Sequence, residues 1–220
     1  MSRALLLRHG QSTWNAQSRW QGWADPPLSD AGREQARVAA AGLRDAHVDA
    51  AVASDLLRAQ ETAGIMADAL GLGAVETEPD LRERDVGAWS GLTTDEIEAR
   101  WPGQLASWRA GTLAVLPEGE GDITDRVMAG LRRVLLSHPG GTVLVVTHGG
   151  VIRTIERHLG LDPKPVRNMG GRWVSLAGGA DESGDESGDE SGDGAGATVV
   201  AGEAVRLQDP DAPAATTTVL

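Results

Sequence analysis

Apolar residues along the chain gather into short runs separated by longer stretches of mixed character. Arg3-Ala4-Leu5-Leu6-Leu7 and Val143-Leu144-Val145-Val146 are too short for helices and too continuous for strands with one face in water. Both read as strands buried on both faces of a sheet. Ala50 to Ala53 reads as another short strand, Ala74 to Thr77 as a third, and Arg172 to Leu176 and Thr198 to Leu207 as two more. Between them the spacing becomes helical. Ser29-Asp30-Ala31 opens a helix to about Ala46, with Ser29 as N-cap and Val38, Ala41 and Leu43 toward the core. Ser54-Asp55 caps a helix from about Leu56 to Leu70, stopped by Gly71, and Arg58 lands in its first turn. Thr93 and Glu96 have the spacing of a capping box, while Asp122 to Ser137 and Val151 to His158 read as further helices. Trp101 to Gly121, rich in Gly, Pro and Trp, reads as irregular or short helical, a lid or wall over a pocket. Strands alternating with helices predict an α/β fold of three layers, α/β/α, around a mostly parallel sheet.

Two of the strands end in the same way, on a histidine followed by glycine: Arg8-His9-Gly10 and Thr147-His148-Gly149-Gly150. Ligands of open α/β sheets bind beyond the carboxyl ends of the strands, so the two imidazoles and Arg8 are placed to share one pocket. A guanidinium beside an imidazole at a glycine turn suits an anion, with phosphate the first candidate. Adjacent arginines repel a divalent cation and no carboxylate is spaced to join His9 and His148, so no metal and no other cofactor is expected. Phosphoryl transfer needs an in-line nucleophile, cations around the equatorial oxygens and an acid for the leaving group. A neutral imidazole attacks phosphorus when its other nitrogen is held as a donor, and His9 is the candidate. Arg8 and Arg58 would clamp the oxygens, helped by the start of the helix near Leu56, and His148 would donate to the same oxygens. Glu83, on a loop ahead of a helix, would serve as acid and then base. His47, His138 and His158 have no partners at triad or metal spacing and read as surface or helix-end residues.

Composition narrows the class of partner. The net charge of −12 argues against nucleic acid and anionic membranes, but Asp181 to Asp193 alone holds seven acidic residues, without which the balance is −5. A mildly acidic body is compatible with a basic pocket. The 220 residues read as a single domain over 1–207, with a disordered acidic insertion at 179–196 and a flexible tail at 208–220. The insertion repeats Glu-Ser-Gly-Asp, and its carboxylates match neither an EF-hand nor a calcium-binding nonapeptide. There is no cysteine, and the first apolar run is too short for a signal peptide or membrane span, so the chain reads as cytoplasmic. A homodimer is left open.

Five motifs, RHGQSTWN, QGWADPPLSDAGREQA, SDLLRAQETA, LRERDVGAWSGL and VTHGG, follow one another from about Ser2 to Leu161. In this order they resemble the signature of the histidine phosphatase superfamily, also called phosphoglycerate mutase-like. The resemblance implies that fold, with His9 as phospho-acceptor, Arg8, Arg58 and His148 as the rest of the phosphate pocket, and Glu83 as proton donor. It places Asn15, Gln21, Gly22 and Gly149 on the substrate side. Within the family, QGWADPPLS looks mutase-like, yet Val86 stands where mutases carry tyrosine and Gly150 where they carry asparagine. Thr93-Thr94 replaces an expected lysine, and Trp108-Arg109-Ala110 keeps one of two expected arginines. The resemblance therefore implies a phosphatase acting on small phosphate monoesters, similar to broad-specificity and glucosyl-3-phosphoglycerate phosphatases. A 2,3-bisphosphoglycerate-dependent mutase and a non-catalytic phospho-ligand binding protein are the alternatives. Trp20, Trp23, Trp101 and Trp108 are expected to form an apolar wall for the organic part of the substrate.

Overall fold

The computed structural model describes residues 1–112, 117–177 and 197–207. In chain order its elements are β1 (Arg3–Arg8), α1 (Thr13–Ala16), α2 (Asp30–Ala41), β2 (Ala50–Ala53), α3 (Leu57–Leu70), β3 (Glu76–Thr77) and α4 (Thr94–Arg100). They continue with α5 (Gln104–Arg109), α6 (Glu120–Ser137), β4 (Thr142–Thr147), α7 (Gly149–His158), β5 (Gly170–Ala177) and β6 (Thr198–Arg206). The strands form one sheet in the order β3-β2-β4-β1-β5-β6. The first four run parallel, and β5 and β6 are antiparallel additions at one edge.

The side-chain period of two turns each central strand into a divider between two cores. Ala4 and Leu6 of β1, with Val143 and Val145 of β4, pack against Ile123, Val127 and Leu131 of α6 and Ile152 and Ile155 of α7. Leu5 and Leu7, with Leu144 and Val146, pack on the opposite face against Ala36, Ala39 and Ala40 of α2 and Ala63 and Met66 of α3. The architecture is three-layered, α/β/α, as the strand and helix alternation predicts. Burying each of these branched side chains contributes about 1.5–3 kcal/mol, which holds β1 and β4 rigidly at the centre.

The helix expected to reach Ala46 stops at Ala41, with Gly42 as C-cap and a single 3-10 turn over Arg44–Ala46. Val38 and Ala41 face solvent, and only Leu43 of the three expected core residues is buried. Gly32 explains the difference. A Cβ there would overlap Gln11 O, so Gly32 must abut the loop after β1. That contact sets the rotation of α2 and sends Ala36, Ala39 and Ala40 inward at helical spacing. Helix α1 was not anticipated, and its capping box joins Ser12 to Asn15. Within Trp101 to Gly121 the chain forms α5 and the start of α6, while 113–116 lie outside the described residues. The acidic insertion and the tail beyond 207 also lie outside them. Among the described residues no helix is long and apolar enough to cross a membrane.

Candidate active site

Strands β1 and β4 are hydrogen-bonded neighbours with Arg8 opposite Thr147, so His9 and His148 leave the sheet side by side. Their rings meet edge to face with centroids 5.2 Å apart. His9 Nδ1 lies 2.7 Å from Gly10 O. A carbonyl only accepts, so Nδ1 carries the proton and Nε2 keeps its lone pair. Asn168 Nδ2 donates to His9 O at 2.8 Å, and His9 N donates to Thr147 O at 3.0 Å, fixing the backbone on both sides. Gly10 has to be glycine: a Cβ would sit 2.5 Å from Gly32 O. Its N–H donates to Thr62 Oγ1, and that hydroxyl donates to Arg58 O, tying the loop after β1 to the first turns of α3.

Arg58 is fully buried and donates to Gly22 O at 2.9 Å and Ala24 O at 2.8 Å. It pairs with neither Glu61 nor Asp55, which are taken by Arg33 and Arg82. Arg8 donates to Val166 O at 2.7 Å. The Nε atoms of both arginines are buried without a partner. Burial pushes both guanidiniums down to about 10, which leaves them charged at neutral pH. Buried cations with unused donors suit the oxygens of an anion.

Ser54 was expected to cap a helix. Instead Leu56 occupies the N-cap position of α3 without a side-chain hydrogen bond, and Ser54 Oγ lies 2.9 Å from His148 Nε2. Leu56 N donates to the same oxygen, so the serine proton is free to go to Nε2. On that assignment His148 keeps its proton on Nδ1, which is buried without a partner and suits donation to a phosphate oxygen.

Glu83 sits at the start of α7, where Gly150 N donates to Oε2 at 3.1 Å and Arg84 N to Oε1 at 2.9 Å. A Cβ at Gly150 would overlap Oε1 and lie 2.9 Å from Cδ, so the carboxylate occupies the space a side chain would fill. The loop bearing it is gripped by Arg126 of α6, which donates to Asp80 O, Arg82 O and Glu83 O and pairs with Glu118. Trp23 Nε1 donates to Glu83 O as well, at 2.8 Å. Arg126→Met is expected to cost about 3–5 kcal/mol of stability, because Glu118 is left buried without its partner. Urea denaturation checks this, and a change below about 1 kcal/mol would be at odds with a buried pair.

The residues expected on the substrate side divide. Gly22 has φ +51° and its O holds Arg58, while Gly149 lies against the Arg8 side chain. Asn15 Oδ1 and Gln21 Oε1 both accept from Ser12, and neither amide nitrogen has a partner among the described residues, so each retains donors. The expected tryptophan wall is largely core. Trp20 is buried with Trp89, Ile97 and Leu105, and Trp101 and Trp108 pack onto that cluster. Trp23 is exposed beside Glu83, with Arg82 stacked on its ring. Arg126, Asn168, Thr62 and the true role of Ser54 lay outside the sequence reading. Among the described residues, no three His, Asp or Glu side chains are grouped to hold a metal ion.

Burial and then the neighbouring arginines hold both His9 and His148 well below the usual imidazole range, so both are neutral at physiological pH. An unfolded histidine takes up its proton near 6.5, so below that pH the unfolded chain binds more protons and stability falls with acidification. Each histidine contributes a slope of about 1.4 kcal/mol per pH unit there. Urea midpoints between pH 7 and 5.5 should fall more steeply for the wild type than for His9→Ala; equal slopes would show that His9 titrates normally.

Residues 4–177 match the family described as histidine phosphatase superfamily, branch 1. A 2,3-bisphosphoglycerate-dependent phosphoglycerate mutase of Methylobacterium radiotolerans is 40% identical over 165 residues, 70% of this chain and 78% of that protein. A Bacillus subtilis protein named as the phosphatase PhoE is 36% identical over 165 residues, 74% of this chain and 81% of its own. The solved structure of mycobacterial glucosyl-3-phosphoglycerate phosphatase with VO3 matches at a TM-score of 0.72 and 32% identity, covering 80% of this chain and 92% of that one.

Proposed function

Since the chain belongs to the histidine phosphatase superfamily, branch 1, we propose that it is a phosphomonoesterase acting on small phosphate monoesters through a phosphohistidine on His9. That reading rests above all on the His9 ring, whose Nδ1 is pinned to Gly10 O while Nε2 stays free beside two buried guanidiniums. Nε2 attacks phosphorus as the ester oxygen leaves with a proton from Glu83. Water then gives a proton to the Glu83 carboxylate and attacks the phosphohistidine, releasing phosphate and restoring Nε2. Arg8, Arg58 and the His148 donor hold the equatorial oxygens through both steps.

The mutase alternative draws on the 40% identity to the Methylobacterium enzyme. Local packing favours hydrolysis. Val86, in place of tyrosine, is buried with Trp20 and Trp89, and position 150 has no room for an asparagine while Glu83 is in place. Thr93 is the N-cap of α4, Thr94 accepts from Trp20 Nε1, and Arg109 is exposed. Each charged donor lost to a carboxylate-bearing acceptor costs about 1.5–3 kcal/mol. Purified protein given p-nitrophenyl phosphate at mildly acidic pH should release inorganic phosphate at about 1 s⁻¹ or faster. Phosphate that stays on the protein until 3-phosphoglycerate is added would sink the hydrolase reading in favour of transfer.

A further inference from the structure

The ring of His9 is anchored to a residue that cannot hold its own shape. His9 Nδ1 bonds Gly10 O, and the close approach to Gly32 O that requires glycine at position 10 also leaves that residue the widest backbone freedom. The peptide between His9 and Gly10 must therefore be set from outside, and it is held at both ends. Its C=O accepts from Asn168 Nδ2 at 2.8 Å, and its N–H donates to Thr62 Oγ1 at 3.0 Å. Thr62 Oγ1 in turn donates to Arg58 O at 2.7 Å, which leaves a lone pair of the hydroxyl facing Gly10. Both Thr62 and Asn168 are buried, so water does not stand in for either.

The backbone that delivers Asn168 is itself constrained. The β1–β5 ladder ends at Leu7 opposite Gly171, and Met169 N makes one more bond, to Arg8 O. There the chain turns. Met169 has φ +57°, a left-handed conformation that residues other than glycine rarely adopt, and complete burial with Leu5, Leu7, Leu144 and Val146 keeps it there. The turn takes residue 168 off the strand and brings its side-chain amide to His9 O. We propose that Asn168 and Thr62 are positioning residues that clamp the His9–Gly10 peptide and thereby hold the His9 ring with Nδ1 protonated and Nε2 aimed at phosphorus. This rests on the phosphomonoesterase reading for the role of Nε2. It separates the aim of His9 from the capacity to bind phosphate, because the guanidinium of Arg8 is held by Val166 O and that of Arg58 by Gly22 O and Ala24 O, without either residue.

Asn168→Leu and Thr62→Val remove the two hydrogen bonds with little change in volume. Each should lower kcat/KM for p-nitrophenyl phosphate by about 10- to 100-fold; its phenolate leaves unaided, so that constant reads the attack by His9. The inhibition constant of inorganic phosphate should stay within about threefold of the wild type, the split expected when ground-state binding is kept and the approach to the transition state is lost. Thr62→Ser keeps the hydroxyl and should recover most of the rate. Nitrogen-15 NMR of the His9 ring, assigned by its absence from His9→Ala, should show Nδ1 protonated in the substrate-free wild type and a mixture of both tautomers in Asn168→Leu and Thr62→Val. Rate and phosphate affinity falling together, a Thr62→Ser as slow as Thr62→Val, or tautomers unchanged in both donorless variants overturns the clamp. If one of those variants does not fold, the other decides it by the same readings. A wild type that hydrolyses no ester counts against the phosphatase reading alone, because the tautomers still judge the clamp.

Discussion

Replacing His9 by alanine is expected to lower turnover of any phosphate monoester by about 10⁴-fold or more, leaving only what binding and oriented cations supply. The size follows from the site. No other group combines a free imidazole lone pair with a position among Arg8, Arg58 and His148. His148 cannot simply take over, because its Nε2 is engaged by Ser54 and its Nδ1 is the donor. The fold should survive, since His9 is neutral and its removal strands no charge. Loss of activity without loss of structure is therefore interpretable. Incubating each protein with ³²P-labelled substrate and quenching in alkali should trap a base-stable, acid-labile phosphoprotein in the wild type. His148→Ala should still be labelled, more slowly, and His9→Ala should not be. Label recovered from His9→Ala would move the nucleophile elsewhere and end the mechanism proposed for this chain.

The histidines could be found in advance because their signal is local. A continuous apolar run, a histidine and a glycine report the end of a buried strand wherever they occur, and parallel pairing of β1 with β4 brings the two ends together. Ser29 was legible for the same reason, its cap bond to Gly32 N being three residues away. The supports of the site are long-range. Asn168 reaches His9 O across 159 positions, Ser54 meets His148 across 94, and Arg126 grips carbonyls more than 40 residues upstream. An Arg on an amphipathic helix or an Asn before a strand has no spacing that points to such partners. Ser54 shows the limit most clearly. A serine two residues before a helix looks like a cap, and only the fold reveals that its hydroxyl was needed by His148. The tryptophans fail in the other direction: their composition suggested a binding wall, while Trp20 is consumed by a satellite core under α4 and α5, and Trp101 and Trp108 pack onto it.

Gly150→Ala should reduce kcat by roughly 10²–10³-fold, the range of a lost general acid, although the substitution adds one methyl group and touches neither histidine. Position 150 is the second residue of α7, and its N–H is the donor that seats Glu83 Oε2. A Cβ would overlap Glu83 Oε1, and the clash cannot be relieved by a small rotamer change, because Arg126 and Trp23 hold the Glu83 carbonyl from behind. The carboxyl group must swing away from the helix start and from the leaving oxygen. Alanine is the better helix former by about 1 kcal/mol, so the helix itself gives no reason to unfold. In kcat/KM, which reports the phosphorylation step, the loss should depend on the leaving group: severe for an alkyl phosphate, which needs the proton, and much smaller for p-nitrophenyl phosphate, whose phenolate departs without one. Gly149→Ala is the control one residue away, where the new methyl would meet Arg8 Cδ at 3.4 Å and the flexible side chain can give. It should be far milder and show no such leaving-group dependence. A Gly150→Ala enzyme equally impaired on both esters in kcat/KM would mean that Glu83 is not the group that protonates the departing oxygen.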